Sequence, residues 1–425
     1  MIDIKLLRAD PDKYVQAAEV KNIPVDIPAL LEVDGQLLEA QRRLQELRTE
    51  QNRTGKQIAR LDGVEKQDAI EEMSRIKAQV RHFSEEISRL KPKFDELMLL
   101  VSQPPDEGVP VGHSDADNVE IRRVGQVPRL DFEPLDHVQL GKALDIIDIE
   151  RGVKLAGARN YVLKGGGALL HQALLRLAVD AMLEKGYTFL TVPMLVRDGV
   201  MYGTGWFPVG RDQAYLVERD QLSLAGTAEV PVTALHADEI LEEAELPKRY
   251  VALSTCFRRE AGAAGKDTYG LYRIHYFDKV EQVVVCPNDK QQSMAFHQEI
   301  LANAEDVMKA LELPYRVVNC CTGDLGQGPV EKFDIETWMP SRNSYGETHS
   351  ASRLYDFQAR RLNLRYRDAE GKIRFCHTLN NTVIASPRVL ISLLELNQNA
   401  DGSVTIPKAL RPYMGGVEKI EPPRK

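Results

Sequence analysis

Long apolar runs are missing from this chain of 425 residues. No stretch approaches the roughly 20 residues that a membrane-spanning helix needs. The opening MIDIKLLRADPDKYV carries neither the apolar core nor the small-residue cleavage site of an export signal, so a cytoplasmic protein with no membrane partner is expected. Cysteine is scarce: Cys256, Cys286, Cys320, Cys321 and Cys376 form no CxxC pair. On a strand, the adjacent Cys320 and Cys321 would point to opposite faces, so buried reduced thiols and no zinc are expected. An excess of positive charge is also missing. The net charge of −8 does not advertise a nucleic-acid binder, so any RNA-facing surface is to be sought in the local distribution of charge. Finally, no Ser/His/Asp or Cys/His constellation has a familiar spacing, which removes the usual signs of a covalent nucleophile.

What is present begins with a helical repeat. Leu30, Val33, Leu37, Ala40, Leu44 and Leu47 step by three and four, and after Gln51 and Thr54 the series resumes at Ile58 and Leu61. Asp62-Gly63 signals a turn, and a second seam follows through Ile70, Met73, Ile76, Val80, Phe83, Ile87, Leu90, Phe94 and Leu97. Two helices of about 30 residues, each about 45 Å long at 1.5 Å per residue, predict an antiparallel coiled-coil arm, with Pro92 kinking the second helix or marking where it approaches the body. Arg42, Arg43, Arg48, Arg53, Lys56 and Arg60 outnumber Glu46 and Glu50 along the first helix, a local basic surface on an acidic chain.

The stretch from Ser102 to Asp117 is rich in proline, glycine and acid and reads as a linker. The division expected is an N-terminal domain over 1–103, a linker over 104–117 and a catalytic domain over 118–425. In the last of these, short β-rich runs and longer helical ones follow one another without regular βαβ alternation. That predicts an α+β fold, an antiparallel sheet flanked by helices. Ala168 to Lys185 is amphipathic, with Leu170, Leu174, Leu177 and Ala181 on one face. The densest chemistry lies in Phe257 to Gln282, FRREAGAAGKDTYGLYRIHYFDKVEQ. Two buried-strand patterns, YVALSTC and KVEQVVVC, flank a small polar loop there, with Arg258, Arg259 and Glu260 leaving it and Phe277, Lys279 and Glu281 returning. Arginine forks suit phosphate or carboxylate oxygens and an aromatic ring offers a flat face, the equipment for a nucleotide.

This unit resembles motif 2 of class II aminoacyl-tRNA synthetases, and the chain as a whole is similar to the bacterial seryl-tRNA synthetase family. GTGWFP at 203–208, TAEVP at 227–231, DIETWMP at 334–340, ETHSASRLYDFQARR at 347–361 and TLNNTVIASPR at 378–388 follow in the family's order. The resemblance implies ATP-dependent attachment of L-serine to serine tRNA through a seryl-adenylate, in a homodimer whose helix–Gly186–strand segment is motif 1.

Carried over residue by residue, it makes Arg258, Glu347 and Arg388 catalytic. Thr227, Glu229, Arg258, Glu281, Asn380 and Thr382 would receive serine. Arg258, Glu260, Ile274, Phe277, Glu347, Ser350 and Arg388 would bind ATP, with Glu347 and Ser350 holding Mg²⁺. Arg42, Arg43, Arg53, Lys56 and Arg60 would face the tRNA. Two alternatives remain open: a ligase that loads an activated amino acid onto a carrier protein, and an inactive synthetase-like regulator. The family relatives that load carriers lack the arm, and intact Arg258, Glu281, Glu347 and Arg388 oppose the loss of catalysis. His349, beside Glu347, reads as an ordinary satisfied histidine. Tyr269, in the motif 2 loop, has a ring suited to stacking on a base.

Overall fold

The computed structural model describes residues 1–423 except 264 and 266. The chain divides into two compact units, Ile2–Pro104 and a second made of Met1 with the chain from Pro105 onward.

The first unit is helical: α1 (Ile4–Ala9), α2 (Pro11–Val20), α3 (Ile27–Ile58) and α4 (Gly63–Leu100). Asp26 caps α3 by accepting from the Ala29 amide at 2.8 Å, and Pro28 sits in the first turn, where its missing N–H costs nothing. The expected hairpin forms, since α3 and α4 are antiparallel neighbours joined by four residues. Val33 and Leu37 pack on Leu90, flanked by Ile87, Phe94 and Leu97. The seam is uneven, however. Thr54 is buried within it, whereas Ile70 stays 45% exposed near the turn. Pro92 lies inside α4, which runs through it to Leu100. Among the described residues, no helix is long and apolar enough to cross a membrane.

The second unit is built on an eight-stranded sheet. Its strands are β1 (Val119–Val124), β2 (Thr188–Leu190), β3 (Lys248–Phe257), β4 (Tyr276–Cys286), β5 (Tyr315–Asn319), β6 (Glu331–Met339), β7 (Ser344–Arg353) and β8 (His377–Ser386). The spatial order is β1-β5-β6-β7-β8-β4-β3-β2. Every pair is antiparallel except β2 with β3. Helices α5 (Gly165–Glu184) and α6 (Lys290–Ala310) lie on one face. Gln282 and Asn381, which alternate with Glu281 and Thr382 along their strands, both donate to the Ile300 carbonyl of α6, at 2.8 and 2.6 Å. His171 of α5 reaches Asp278 and Ser386 on the same face, at 2.9 and 2.7 Å. The other face is left for the site.

Residues 105–117, expected to be linker, are fastened to this second unit. Asp106 accepts from Arg353 at 2.8 Å and from the Tyr355 hydroxyl at 2.5 Å, and the Pro110 carbonyl accepts from the Thr322 amide. A proline- and acid-rich composition marks weak intrinsic structure, but a buried arginine needs carboxylate partners wherever the chain supplies them.

Candidate active site

Strand periodicity sets out the first wall. Phe277, Lys279 and Glu281 are two apart on β4, so all three point to the face away from α5 and α6, and all line one cavity. The neighbouring strands could not do the same in regular form. Glu347 and Ser350 are three apart and would face opposite ways. On β7, however, Ile335 pairs with His349 and Glu336 with Glu347, so Thr348 is an extra residue. A second bulge lies on β8, where Val280 pairs with Ile384 and Glu281 with Thr382, leaving Val383 over. Each bulge turns a strand so that residues on both sides of it face the cavity: Glu347 with Ser350, and Thr382 with Ala385.

His349 bridges the two bulges. Its Nε2 lies 3.1 Å from the carbonyl of the unpaired Val383 and its Nδ1 lies 2.8 Å from the Thr348 hydroxyl. Burial pushes the imidazole down to about 4, so it is neutral and structural, as read from the sequence, and it stands behind the cavity wall rather than in it.

One end of the cavity is a buried polar nest. Glu281, 1% exposed, pairs with the Lys279 ammonium and accepts from Asn380 at 3.2 Å and from the Thr382 hydroxyl at 3.4 Å. Lys279 also donates to the Thr227 hydroxyl at 2.8 Å. Glu229 opens a short helix, Glu229–Thr233, and accepts from Gln358 at 2.7 Å. Burial, then repulsion from Glu281, pushes its carboxyl up to about 7. An ammonium placed between the two carboxylates would relieve both effects.

The other end is made of guanidinium groups over rings. Arg258 lies 5.3 Å above Phe277 and 5.8 Å from Trp206, and its Nε donates to the Gly226 carbonyl at 3.3 Å. Gly226 must be bare, because a Cβ there would come within 2.6 Å of the Trp206 ring. Arg388 lies 4.4 Å over Tyr272, donates to the Tyr272 and Glu347 carbonyls at 3.1 and 2.8 Å, and sits 3.8 Å from a Glu347 carboxylate oxygen. Glu260 takes a left-handed backbone, φ +52°, uncommon for a residue with a side chain, and is held by Arg273 at 2.6 Å.

All twelve side chains expected from the sequence to bind amino acid, ATP or metal line this one cavity, including Ile274 and Thr227. Trp206, Leu271, Tyr272, Thr348, Ser352 and Ala385 join them without having been singled out. Trp206 stands in GTGWFP, Leu271 and Tyr272 in motif 2, Thr348 and Ser352 in ETHSASRLYDFQARR and Ala385 in TLNNTVIASPR, so motif membership was the available signal for all six. Tyr269 instead donates its hydroxyl to Asp136, at 3.1 Å.

Among the residues expected to hold a metal, Glu347 and Ser350 offer hard oxygens to the cavity, and Asp334, paired across the ladder with Ser350, has one carboxylate oxygen buried without a hydrogen-bond partner. Cys320, Asp324 and Asp334 also approach one another within 4.8 Å, but the Lys332 ammonium supplies their counter-charge, 3.2 Å from Asp324 and 3.7 Å from Asp334. The five thiols are free and buried, and burial raises Cys286 and Cys376 to about 12. On the arm, Arg42, Arg43 and Arg53 are exposed and paired with Glu39, Glu46 and Glu50 of their own helix. Lys56 and Arg60 are exposed as well.

Comparison with known proteins agrees across both units. Residues 1–105 match the seryl-tRNA synthetase N-terminal domain, and residues 215–397 match the tRNA synthetase class II core domain (G, H, P, S and T). A serine–tRNA ligase of Deinococcus radiodurans is 44% identical over 423 residues, covering all of both chains. The crystal structure of seryl-tRNA synthetase from Pyrococcus horikoshii complexed with ATP superposes with a TM-score of 0.93, at 36% identity over all of both chains. That of the cytoplasmic serine–tRNA ligase from Naegleria fowleri in complex with AMP gives 0.86 at 29% identity, over 98% of this chain and 96% of that one.

Proposed function

The chain belongs to the seryl-tRNA synthetase family, and we propose that its sheet cavity joins L-serine to ATP as seryl-adenylate and then passes the seryl group to serine tRNA. The observation that carries this reading is the two-ended cavity, a carboxylate-rich nest facing a pair of arginine–aromatic stacks.

Both reacting groups are anions, a serine carboxylate and the α-phosphate of ATP, and they repel. Arg258, at the arginine–aromatic end, also lies near enough to Glu229 to lower its carboxyl, and with its Nε held by the Gly226 carbonyl the rest of its fork would bridge both anions. The carboxylate oxygen attacks phosphorus, the bond to the β-phosphate oxygen breaks, and pyrophosphate leaves. In the second step a terminal ribose hydroxyl of the tRNA attacks the seryl carbonyl and AMP leaves. Neither step needs an enzyme nucleophile, so rate comes from alignment and charge neutralisation. The adenine ring would stack between Phe277 and the Arg388 guanidinium, both of which line the cavity. Glu347 and Ser350 would hold Mg²⁺, which when bound neutralises triphosphate charge.

Serine is recognised through Glu229, Glu281, Thr227, Asn380 and Thr382. Glu281 and its donors are buried, so an amino acid lacking the hydroxyl would leave polar groups unpaired. The sieve against threonine is size alone and is weaker. The basic face of α3, from Arg42 to Arg60, would lie on the tRNA backbone, reading shape. Exposed Leu169, Leu183 and Phe189, on the motif 1 helix and strand, support a homodimer through that segment. A cytoplasmic location follows from the substrate.

Amino-acid-dependent exchange of pyrophosphate into ATP, run with each of the twenty amino acids and followed by charging of bulk tRNA, tests this reading. Serine-dependent exchange with charging is expected. Exchange without charging would favour the carrier-loading ligase, and no exchange from folded protein would favour the regulator.

A further inference from the structure

One side chain outside the expected set touches three walls of the amino-acid end of the cavity. Gln358, on the short helix Phe357–Leu362, is 1% exposed. Its Nε2 donates to Glu229 Oε1 at 2.7 Å and to the Thr204 carbonyl at 3.0 Å, and its Oε1 accepts from the Thr378 hydroxyl of β8 at 2.7 Å. Both amide hydrogens and the amide oxygen are therefore used. Turned over, the amide would set its oxygen against a carboxylate and a carbonyl, so its orientation has one answer, and Thr378 completes it. The groups that face Glu229 are Glu281 and Lys279 from β4 and Arg258 beyond β3. After burial and Glu281, which raise the carboxyl, the hydrogen bond from Gln358 is the largest influence lowering it, ahead of Lys279 and Arg258.

We propose that Gln358 is a positioning residue for amino-acid recognition: locked by Thr378 and the Thr204 carbonyl, it aims the Glu229 carboxylate at the substrate ammonium. This rests on the reading of Glu229 given above. Gln358 touches no substrate and acts through Glu229 alone, so its loss should be felt by one substrate and not the other. A purely structural glutamine would disturb serine and ATP alike.

The test is pyrophosphate exchange with KM measured separately for serine and for ATP in four variants. Gln358→Met removes the donor at similar volume and should raise the serine KM about tenfold, the worth of a hydrogen bond to a charged group, with the ATP KM within about twofold. Gln358→Glu, which sets a second carboxylate against Glu229, should raise it further. Thr378→Val, which keeps the glutamine and frees its amide, should raise it less and serves if either glutamine variant fails to fold. In Gln358→Met the acid limb of kcat/KM for serine should also move to higher pH. Equal changes in both KM values, or an acid limb that stays in place, would overturn the proposal. Glu229→Gln separates the two readings. If it leaves the serine KM unchanged, the role of Glu229 itself fails. If it weakens serine while Gln358→Met and Thr378→Val do not, only the positioning role fails.

Discussion

The helical hairpin and the sheet cavity use the same charged residue types in opposite ways. On α3, Arg42 and Arg43 pair with Glu39 and Glu46 three or four residues away, all about half exposed. Such exposed pairs are weak and are screened by salt, so an incoming polyanion can displace the glutamates at little cost. In the cavity, Lys279 and Glu281 are buried and interlocked, and Glu229 beside them is driven far from its ordinary protonation range. Charges there cannot relax without a partner of fixed geometry. The contrast separates two kinds of recognition: a loose surface suited to a backbone read by shape, and a rigid nest suited to one small zwitterion.

The largest expected effect falls in the nest. Arg258→Ala should cut pyrophosphate exchange by about a thousandfold, the upper range for loss of one charge-stabilising group, while the thermal transition stays close to wild type. Near-normal exchange in the folded variant would remove Arg258 from the bridging role.

Next comes the scaffold behind it. His349→Phe deprives the Val383 carbonyl of its donor and loosens both bulges, so exchange should fall about ten- to a hundredfold. A variant with unchanged KM and kcat for both substrates would mean that the bulges hold without the histidine.

The pH profile sharpens the same point. If Glu229 receives the serine ammonium as proposed, binding needs it ionised, and its carboxyl is raised to about 7, so the protonated form grows as pH falls below that value. Accordingly kcat/KM for serine should drop toward one decade per pH unit on the acid side, and this limb should vanish in Glu229→Gln. An acid limb that survives the substitution belongs to another group.

The smallest effect belongs to the arm. Arg42→Ala with Arg43→Ala should raise the KM for tRNA several-fold and lower the salt dependence of tRNA binding by about 1.4 to 1.8 in log–log slope, with pyrophosphate exchange unchanged. An unchanged salt slope would place the RNA contact elsewhere.

Much of this was legible before any coordinates. The three- and four-residue steps gave both long helices, and alternation placed Phe277, Lys279 and Glu281 on one face. Motif order, rather than any periodicity, brought in residues as distant as Thr227 and Arg388. The bulges were not legible. ETHSAS and NNTVIAS carry no glycine or other local mark of an extra residue, because a bulge is a property of two strands in register and not of either alone. The fastening of 105–117 was hidden for a similar reason: its anchor, Asp106, finds Arg353 and Tyr355 some 250 positions away. Nor could the sequence reveal that Thr54 is buried or Ile70 exposed, since where a heptad seam slackens depends on what faces it.

The division of labour between arm and cavity is tested most directly by removing residues 37–97, closing the gap with a short turn, and measuring serine-dependent pyrophosphate exchange beside the charging of serine tRNA. The account predicts that exchange persists near its original rate while charging is lost. Charging that survives the deletion would contradict it, because the hairpin would then not be the element that holds the tRNA.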